Sequence, residues 1–325
     1  RFAAALNNIP DRAELLAIGS RSQETADAFG DKYNIARRCA GYEQVAADPD
    51  VDIVYIGTPG VFHHHDVTMC LNHGKHVLCE KAFTLNANEA QDLIQLARKK
   101  NLFLMEAMWT RFFPIHVRIR ELLKEGAIGT LNGIVINFAA LPPFDLNNRF
   151  FNLDLGASVL MDTGSYGISW AYSLLGAPQQ VVSLADFGET GADYQTVIGM
   201  KYADGPLVSI FSSQISYDVK DAIIFGTKGK IEVHDPWYKP TVMTLHRAGK
   251  TPEIIEMPLN GFVGYEWEAL AVMDSIAQGK TECDLMPLDE TLQIMKTLDE
   301  YDPNGVSNSH QRNRVFESYC PLHIK

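Results

Sequence analysis

The stretch Val77-Leu78-Cys79-Glu80-Lys81-Ala82-Phe83 carries an apolar, β-rich run directly into a charged pair at a loop edge. Strands covered by helices on both faces read as short continuous apolar runs, and that is the texture of parallel sheets. The same texture recurs at Leu15 to Gly19, Ile53 to Gly57 and Phe103 to Met105, with amphipathic helical stretches at Ser22 to Tyr33, His63 to Asn72 and Asn86 to Lys100. This alternation predicts a Rossmann-like, doubly wound α/β fold, in which ligands collect beyond the carboxyl ends of the strands. Glu80 and Lys81 stand at such an end, which makes Lys81 a candidate active-site cation.

The start of the chain departs from that plan. It opens at Arg1 in a helical stretch, Arg1 to Asn8, ahead of the first visible strand. A dinucleotide-binding fold has an earlier strand and a Gly-x-Gly-x-x-Gly turn whose backbone N–H groups meet the pyrophosphate. The sequence therefore predicts an N-terminally incomplete domain, short by on the order of 15 residues, the usual size of a strand plus turn. After the first visible strand comes Ser20-Arg21, where an NAD-specific site places a carboxylate for the ribose hydroxyls. A serine and a guanidinium suit a 2'-phosphate and point to NADP, with NAD as the lesser option; the alternative is a solvated loop arginine. Thr58-Pro59-Gly60 and His63 follow the next strand, as cofactor contacts by position or as an ordinary turn with a helix-capping threonine.

Leu102 to Pro114 begins as a strand and then leaves the nucleotide domain, carrying Trp109 and Arg111 across the cleft as cofactor-site or interdomain packing residues. Beyond it the texture is β-rich, at Leu131 to Ala139, Val181 to Ala185, Thr196 to Tyr202, Leu207 to Ser212, Ala222 to Phe225, Lys230 to Val233 and Val242 to Leu245. Turn signals between these runs predict an open, mainly antiparallel sheet in an α+β domain. One face of such a sheet packs on helices and the other is available to a twin subunit, so a homodimer is expected. The expected domains are 1–107 for NAD(P), 108–300 for substrate and dimerisation, and a divergent polar tail at 301–325. Met161-Asp162-Thr163-Gly164-Ser165-Tyr166 enters a helix, and if the helix has begun, Asp162 and Tyr166 share a face. From spacing alone Asp162 also reads as an N-cap and Tyr166 as a core residue.

The 325 residues exceed the usual single-domain size, and 46% hydrophobic with 21% charged residues is ordinary for a soluble globular protein. A formal net charge of -12 argues against a nucleic-acid footprint. No apolar run approaches membrane-spanning length and no secretory signal is visible, which together predict a cytoplasmic protein. Cys39, Cys70, Cys79, Cys283 and Cys320 are scattered and odd in number, so reduced thiols are expected. His63-His64-His65 cannot easily converge on one ion from adjacent helix positions, and no metal is expected.

Glu80-Lys81, Thr58-Pro59 with His63, Asp162-x-Gly164-x-Tyr166 and Met105-Glu106-Ala107-Met108-Trp109-Thr110-Arg111-Phe112 together resemble the glucose-fructose oxidoreductase and inositol dehydrogenase family, Gfo/Idh/MocA. Within it the resemblance runs to the dihydrodiol dehydrogenase and NADP-dependent D-xylose dehydrogenase subgroup, over about Arg1 to Glu300. The resemblance implies hydride transfer between NADP and a sugar, polyol or diol. It implies that Lys81 is the catalytic lysine at the nicotinamide, Tyr166 the acid/base tyrosine and Asp162 the acid near substrate hydroxyls. Ser20, Arg21, Thr58, His63, Glu80, Trp109 and Arg111 then join Lys81 on the cofactor side. Ala82 stands where the family usually has proline, and Tyr301-Asp302-Pro303-Asn304-Gly305 interrupts the helix that would continue past Asp299-Glu300.

A tyrosine, with an ordinary pKa of about 10, is a poor base at neutral pH, so the mechanistic expectation is that the Lys81 ammonium lowers it. The alternative of a different class is a nucleotide-sensing or scaffold protein that keeps the fold without turnover. Retained Lys81, Asp162 and Tyr166 favour catalysis, and the missing glycine loop favours inactivity.

Overall fold

The structure, a computed structural model, describes residues 1–300. The expected tail at 301–325, with Cys320, lies outside the described residues. The first part runs α1 (Phe2–Asn7), β1 (Ala17–Ser20), α2 (Gln23–Tyr33), β2 (Arg37–Ala40), α3 (Glu43–Ala47), β3 (Ile53–Ile56), α4 (His63–Asn72), β4 (His76–Glu80), α5 (Ala87–Lys100) and β5 (Leu104–Ala107). Helix ends follow local chemistry. Asn86 Oδ1 accepts the Glu89 N–H at 3.0 Å while Glu89 Oε2 accepts the Leu85 N–H at 3.0 Å, and α5 stops where Asn101 turns left-handed at φ 55°. α2 uses the same devices, with Ser22 as its cap and Asn34 at φ 57°.

β3, β4 and β5 form a parallel sheet in which Val77 lies between Val54 and Leu104. Their carboxyl ends therefore share one edge. Flanked on both sides, β4 buries Val77, Leu78 and Cys79 to 1% exposure or less. Among the described residues β3 pairs on one side only, and Ile53, Val54 and Tyr55 stay half-buried. β1 and β2 make a separate parallel pair, and among the described residues no strand joins it to the other three. The sequence pattern misses β2 because its two arginines look like loop; at an edge they pair with Asp48, Asp50 and Asp31.

The second part comprises α6 (Pro114–Lys124), β6 (Leu131–Ala139), α7 (Ser165–Leu175), β7 (Gln180–Phe187), β8 (Asp193–Lys201), β9 (Leu207–Ser213), β10 (Ala222–Gly226), β11 (Gly229–Val233), β12 (Val242–Arg247), β13 (Glu253–Glu256), α8 (Glu266–Ala277) and α9 (Leu288–Glu300). Its eight strands are ordered β13-β12-β11-β10-β6-β9-β8-β7, antiparallel except where β6 runs parallel to β9. Period-two alternation buries Ile134, Ile136, Ile198, Met200, Val208 and Ile210 on the face that carries α7 and leaves Val135, Val197 and Leu207 exposed. Both parts share one continuous core, and α9 packs on α5 and α7, with Asp299 Oδ2 accepting the Ala87 N–H at 2.7 Å. The edge of β4 is thereby held against the start of α7. Among the described residues no helix is long and apolar enough to cross a membrane and no group of metal-ligating side chains converges. Cys39, Cys70, Cys79 and Cys283 are free thiols.

Candidate active site

Glu80 ends β4 and Lys81 starts the turn beyond it, with a cis Lys81–Ala82 peptide. The Tyr55 hydroxyl donates to Glu80 Oε1, and the Lys81 N–H donates to Glu80 Oε2 at 3.2 Å. His63 clasps the turn from the other side, its Nδ1 3.1 Å from both Ala82 O and Phe83 O and its Nε2 2.9 Å from Thr58 O. The backbone direction so fixed sends the Lys81 side chain toward the second part of the chain. Its Nζ donates to Asp162 O at 2.6 Å and to Asp162 Oδ1 at 2.8 Å, and lies 4.8 Å from the centre of the Tyr166 ring.

Asp162 sits in a π-helical turn, Leu160–Gly164, that leads into α7. Such turns recur at functional sites because they break the regular helical register. Asp193 holds this one, accepting the Val159 N–H at 3.2 Å and the Leu160 N–H at 2.8 Å. Asp162 itself caps no helix; its side chain meets Lys81 and, at 3.0 Å, Arg149. Burial alone would raise the Asp162 carboxyl, but the two cations hold it down at about 2.

Tyr166 lies in the first turn of α7, 8% exposed, and its hydroxyl accepts the Trp109 Nε1–H at 2.8 Å. Trp109 stacks on Tyr265 at 4.3 Å, while Phe138 and Tyr238 stand 5.7 and 5.9 Å from the Tyr166 ring. The tyrosine is thus set in an aromatic wall drawn from four distant segments. The sequence offers Phe138 through the alternation of β6; Tyr238 lies in the loop between β11 and β12 and Tyr265 directly before α8, where no periodicity marks them. One expectation needs correction here. Burial pushes the Tyr166 hydroxyl well above the ordinary tyrosine range, against the lowering effect of the Trp109 hydrogen bond, and Glu80, Tyr265 and Asp162 push it further up. The Lys81 ammonium bonds to Asp162 and lies over the ring, with no hydrogen bond to the hydroxyl among the described residues, so the net shift is upward rather than downward.

The remaining residues singled out by sequence divide by exposure. Arg21 is exposed and has no ion-pair or hydrogen-bond partner among the described residues, while Ser20 Oγ shares a 2.6 Å hydrogen bond with Thr25 Oγ1 at the end of β1. Thr58 donates to Asp66 Oδ2 at 2.8 Å, which fixes the start of α4. His63 and Arg111 are each 1% exposed, buried within the fold rather than at its surface. For Arg111 the packing alternative describes the contacts: Nε donates to Ser169 Oγ at 2.8 Å, and the guanidinium pairs with Glu290, pinning α7 behind Tyr166. Glu106, next to last in β5, is fully buried where no sequence signal marks a site. Burial pushes its carboxyl up to about 7 despite Arg111 nearby.

Residues 1–108 match an oxidoreductase family with an NAD-binding Rossmann fold, and residues 116–232 match the GFO/IDH/MocA C-terminal domain. The chain is 32% identical to a trans-1,2-dihydrobenzene-1,2-diol dehydrogenase of Xenopus tropicalis, covering 92% of each chain. It is 33% identical to an NADP(+)-dependent D-xylose 1-dehydrogenase of Hypocrea jecorina, covering 89% of this chain and 83% of that one. Among solved structures, a 3-ketoreductase of Actinomadura kijaniata in complex with NADP and TDP-benzene superposes with a TM-score of 0.83 at 23% identity, covering 94% of this chain and 93% of that one.

Proposed function

The chain belongs to the Gfo/Idh/MocA family of NAD(P)-dependent oxidoreductases, and from that premise we propose that it transfers hydride between NADP(H) and a sugar, polyol or trans-dihydrodiol, or the matching carbonyl. The observation that carries this reading is the convergence of Lys81, Asp162 and Tyr166, with Nζ 2.8 Å from Asp162 Oδ1 and 4.8 Å from the Tyr166 ring centre. On the cofactor side Arg21 and Ser20 would hold the 2'-phosphate and Lys81 would face the nicotinamide. Arg21 fits that task because it is exposed and unpaired among the described residues at the carboxyl end of a parallel strand. When bound, the nicotinamide supplies or takes up the hydride.

The protein's own share is proton transfer and charge. The Tyr166 oxygen already accepts a bond from Trp109, so its own O–H is free to give a proton to the oxygen that becomes an alcohol. Lys81 stabilises the negative charge that develops on that oxygen, in a site closed enough for the charge to count. Asp162, held ionised, receives other hydroxyls of the substrate.

The test is NADPH oxidation against a panel of aldoses, dihydrodiols and dicarbonyls. Turnover of at least one class is expected, whereas binding of NADPH with no turnover of any would favour the scaffold reading. Arg21→Glu is expected to weaken NADPH binding by about 10- to 100-fold, because a carboxylate replaces the charge-assisted bonds to phosphate. NADH binding should change far less, and equal loss of both would remove the 2'-phosphate role.

The second partner in this reading is a second copy of the chain. Val182, Leu184, Leu207 and Phe225 lie exposed on the open face of the large sheet, and Lys201 is the charged side chain lining its apolar depression. Two molecules each carrying a formal charge of -12 meet most readily where charge is scarce. Light scattering after size exclusion should give twice the chain mass, and Leu184→Lys should give the single mass. A monomeric wild-type protein would refute the dimer.

A further inference from the structure

We propose that Arg149 is a positioning residue that, with Lys81, pins Asp162 through Oδ1 and presents Oδ2 to a hydroxyl adjacent to the reacting carbon. The inference rests on the reading of Asp162 as the receiver of substrate hydroxyls and names how that selectivity is built. Asp162 Oδ1 accepts from Lys81 Nζ at 2.8 Å and from Arg149 NH1 at 3.0 Å, and among the described residues no donor reaches Oδ2. A carboxylate held by two cations on one oxygen loses its freedom to rotate, and the second oxygen keeps its lone pairs for an incoming donor.

Arg149 suits this task through its own anchoring. Its guanidinium lies 4.4 Å from the Phe150 ring centre, and its side chain is 61% exposed at the rim, against 17% for Asp162 and 9% for Lys81. The planar group stacked on an aromatic face reaches the carboxylate from outside without filling the cleft, which a lysine stem does not reproduce. Lys81 touches both Asp162 and the Tyr166 ring, so one cation ties the acceptor residue to the residue that carries the proton donor. The substrate class this matches has vicinal oxygens: one carbon reacts at Tyr166 while the adjacent hydroxyl donates to Asp162. Loss of Arg149 leaves the carboxylate fixed by Lys81 alone and free to swing.

The experiment compares kcat/KM for an aldose and its 2-deoxy counterpart in wild-type protein, Arg149→Ala and Arg149→Lys. Arg149→Ala is expected to lower kcat/KM for the aldose about tenfold, mainly through KM, the scale of one charge-assisted hydrogen bond. The 2-deoxy sugar, which has no hydroxyl to misplace, should change by less than about twofold. The acidic limb of the aldose pH profile should move to higher pH in Arg149→Ala, since removing a cation raises a carboxyl that was held low, and Arg149→Lys should restore most of that limb. Equal loss for both sugars, or no loss for either, overturns the role of Arg149. Where the wild-type protein turns over neither sugar, a trans-dihydrodiol and its mono-hydroxy counterpart take their place in the same comparison; turnover of no substrate with vicinal oxygens overturns the underlying hydroxyl-substrate reading, whereas turnover with no selective loss in Arg149→Ala overturns the role of Arg149 alone.

Discussion

Replacing Lys81 with alanine is expected to lower kcat/KM by about 10³- to 10⁴-fold, with the loss in kcat rather than in NADPH affinity as read by fluorescence titration. Preorganised charge at a developing oxyanion and positioned proton chemistry each contribute about 10²- to 10⁴-fold, and Lys81 is the cation that touches both Asp162 and the Tyr166 ring. The substitution also leaves Asp162 with Arg149 as its one cationic partner among the described residues, so the carboxylate that receives substrate hydroxyls drifts as well. Lys81→Arg is expected not to rescue activity, because a planar guanidinium does not reproduce the single ammonium that bonds to Asp162 O and Asp162 Oδ1 at 2.6 and 2.8 Å. Near-full turnover in Lys81→Ala would remove the lysine from the mechanism.

Tyr166→Phe is expected to lower the rate of carbonyl reduction by about 10²- to 10³-fold, since it deletes one hydroxyl and leaves the ring packing in place. It also strands the Trp109 Nε1–H, whose acceptor is the Tyr166 oxygen. The pH dependence follows from the direction of the shift. A tyrosine raised well above its ordinary range stays protonated through neutral pH, so carbonyl reduction shows no loss assignable to Tyr166 between about pH 6 and 9. Oxidation needs the deprotonated form and rises with pH across the same span. A break near neutral pH in wild-type reduction that disappears in Tyr166→Phe would contradict this assignment. So would oxidation that fell as pH rose.

The architecture around β4 was legible in sequence because its signal is local. Val77-Leu78-Cys79 is an apolar run that a central parallel strand needs on both faces, and the Glu-Lys pair follows at its carboxyl end. The step from Asp162 to Tyr166 was less readable: spacing alone makes an N-cap the safer reading of Asp162, and a π turn rather than a regular helix carries it. What sequence did not convey is which atoms face one another. An Arg at the edge of an aromatic run reads equally as a ligand contact or a packing residue; the packing alone shows Arg111 bound to Ser169 and Glu290 beneath α7. A lysine and a tyrosine 85 residues apart suggest a simple ion–phenol pair, yet the ammonium rests over the ring while the hydroxyl faces Trp109. β2 and β13 were missed for a related reason: their charged residues lie on sheet edges, where ion pairs and solvent replace the apolar pattern.

The central claim is that this chain moves hydride from a nicotinamide to a substrate carbon, with Tyr166 supplying the proton. Reduction of a turned-over carbonyl with NADPH deuterated at the transferring face of the nicotinamide C4 tests it most directly, with the product read by mass spectrometry. The account predicts one deuterium per product, bonded to the carbinol carbon, and formation slowed about 10²- to 10³-fold in Tyr166→Phe with the deuterium still transferred. NADPH consumed without deuterium reaching the carbinol carbon, or equal rates in the wild-type and Tyr166→Phe proteins, would contradict it.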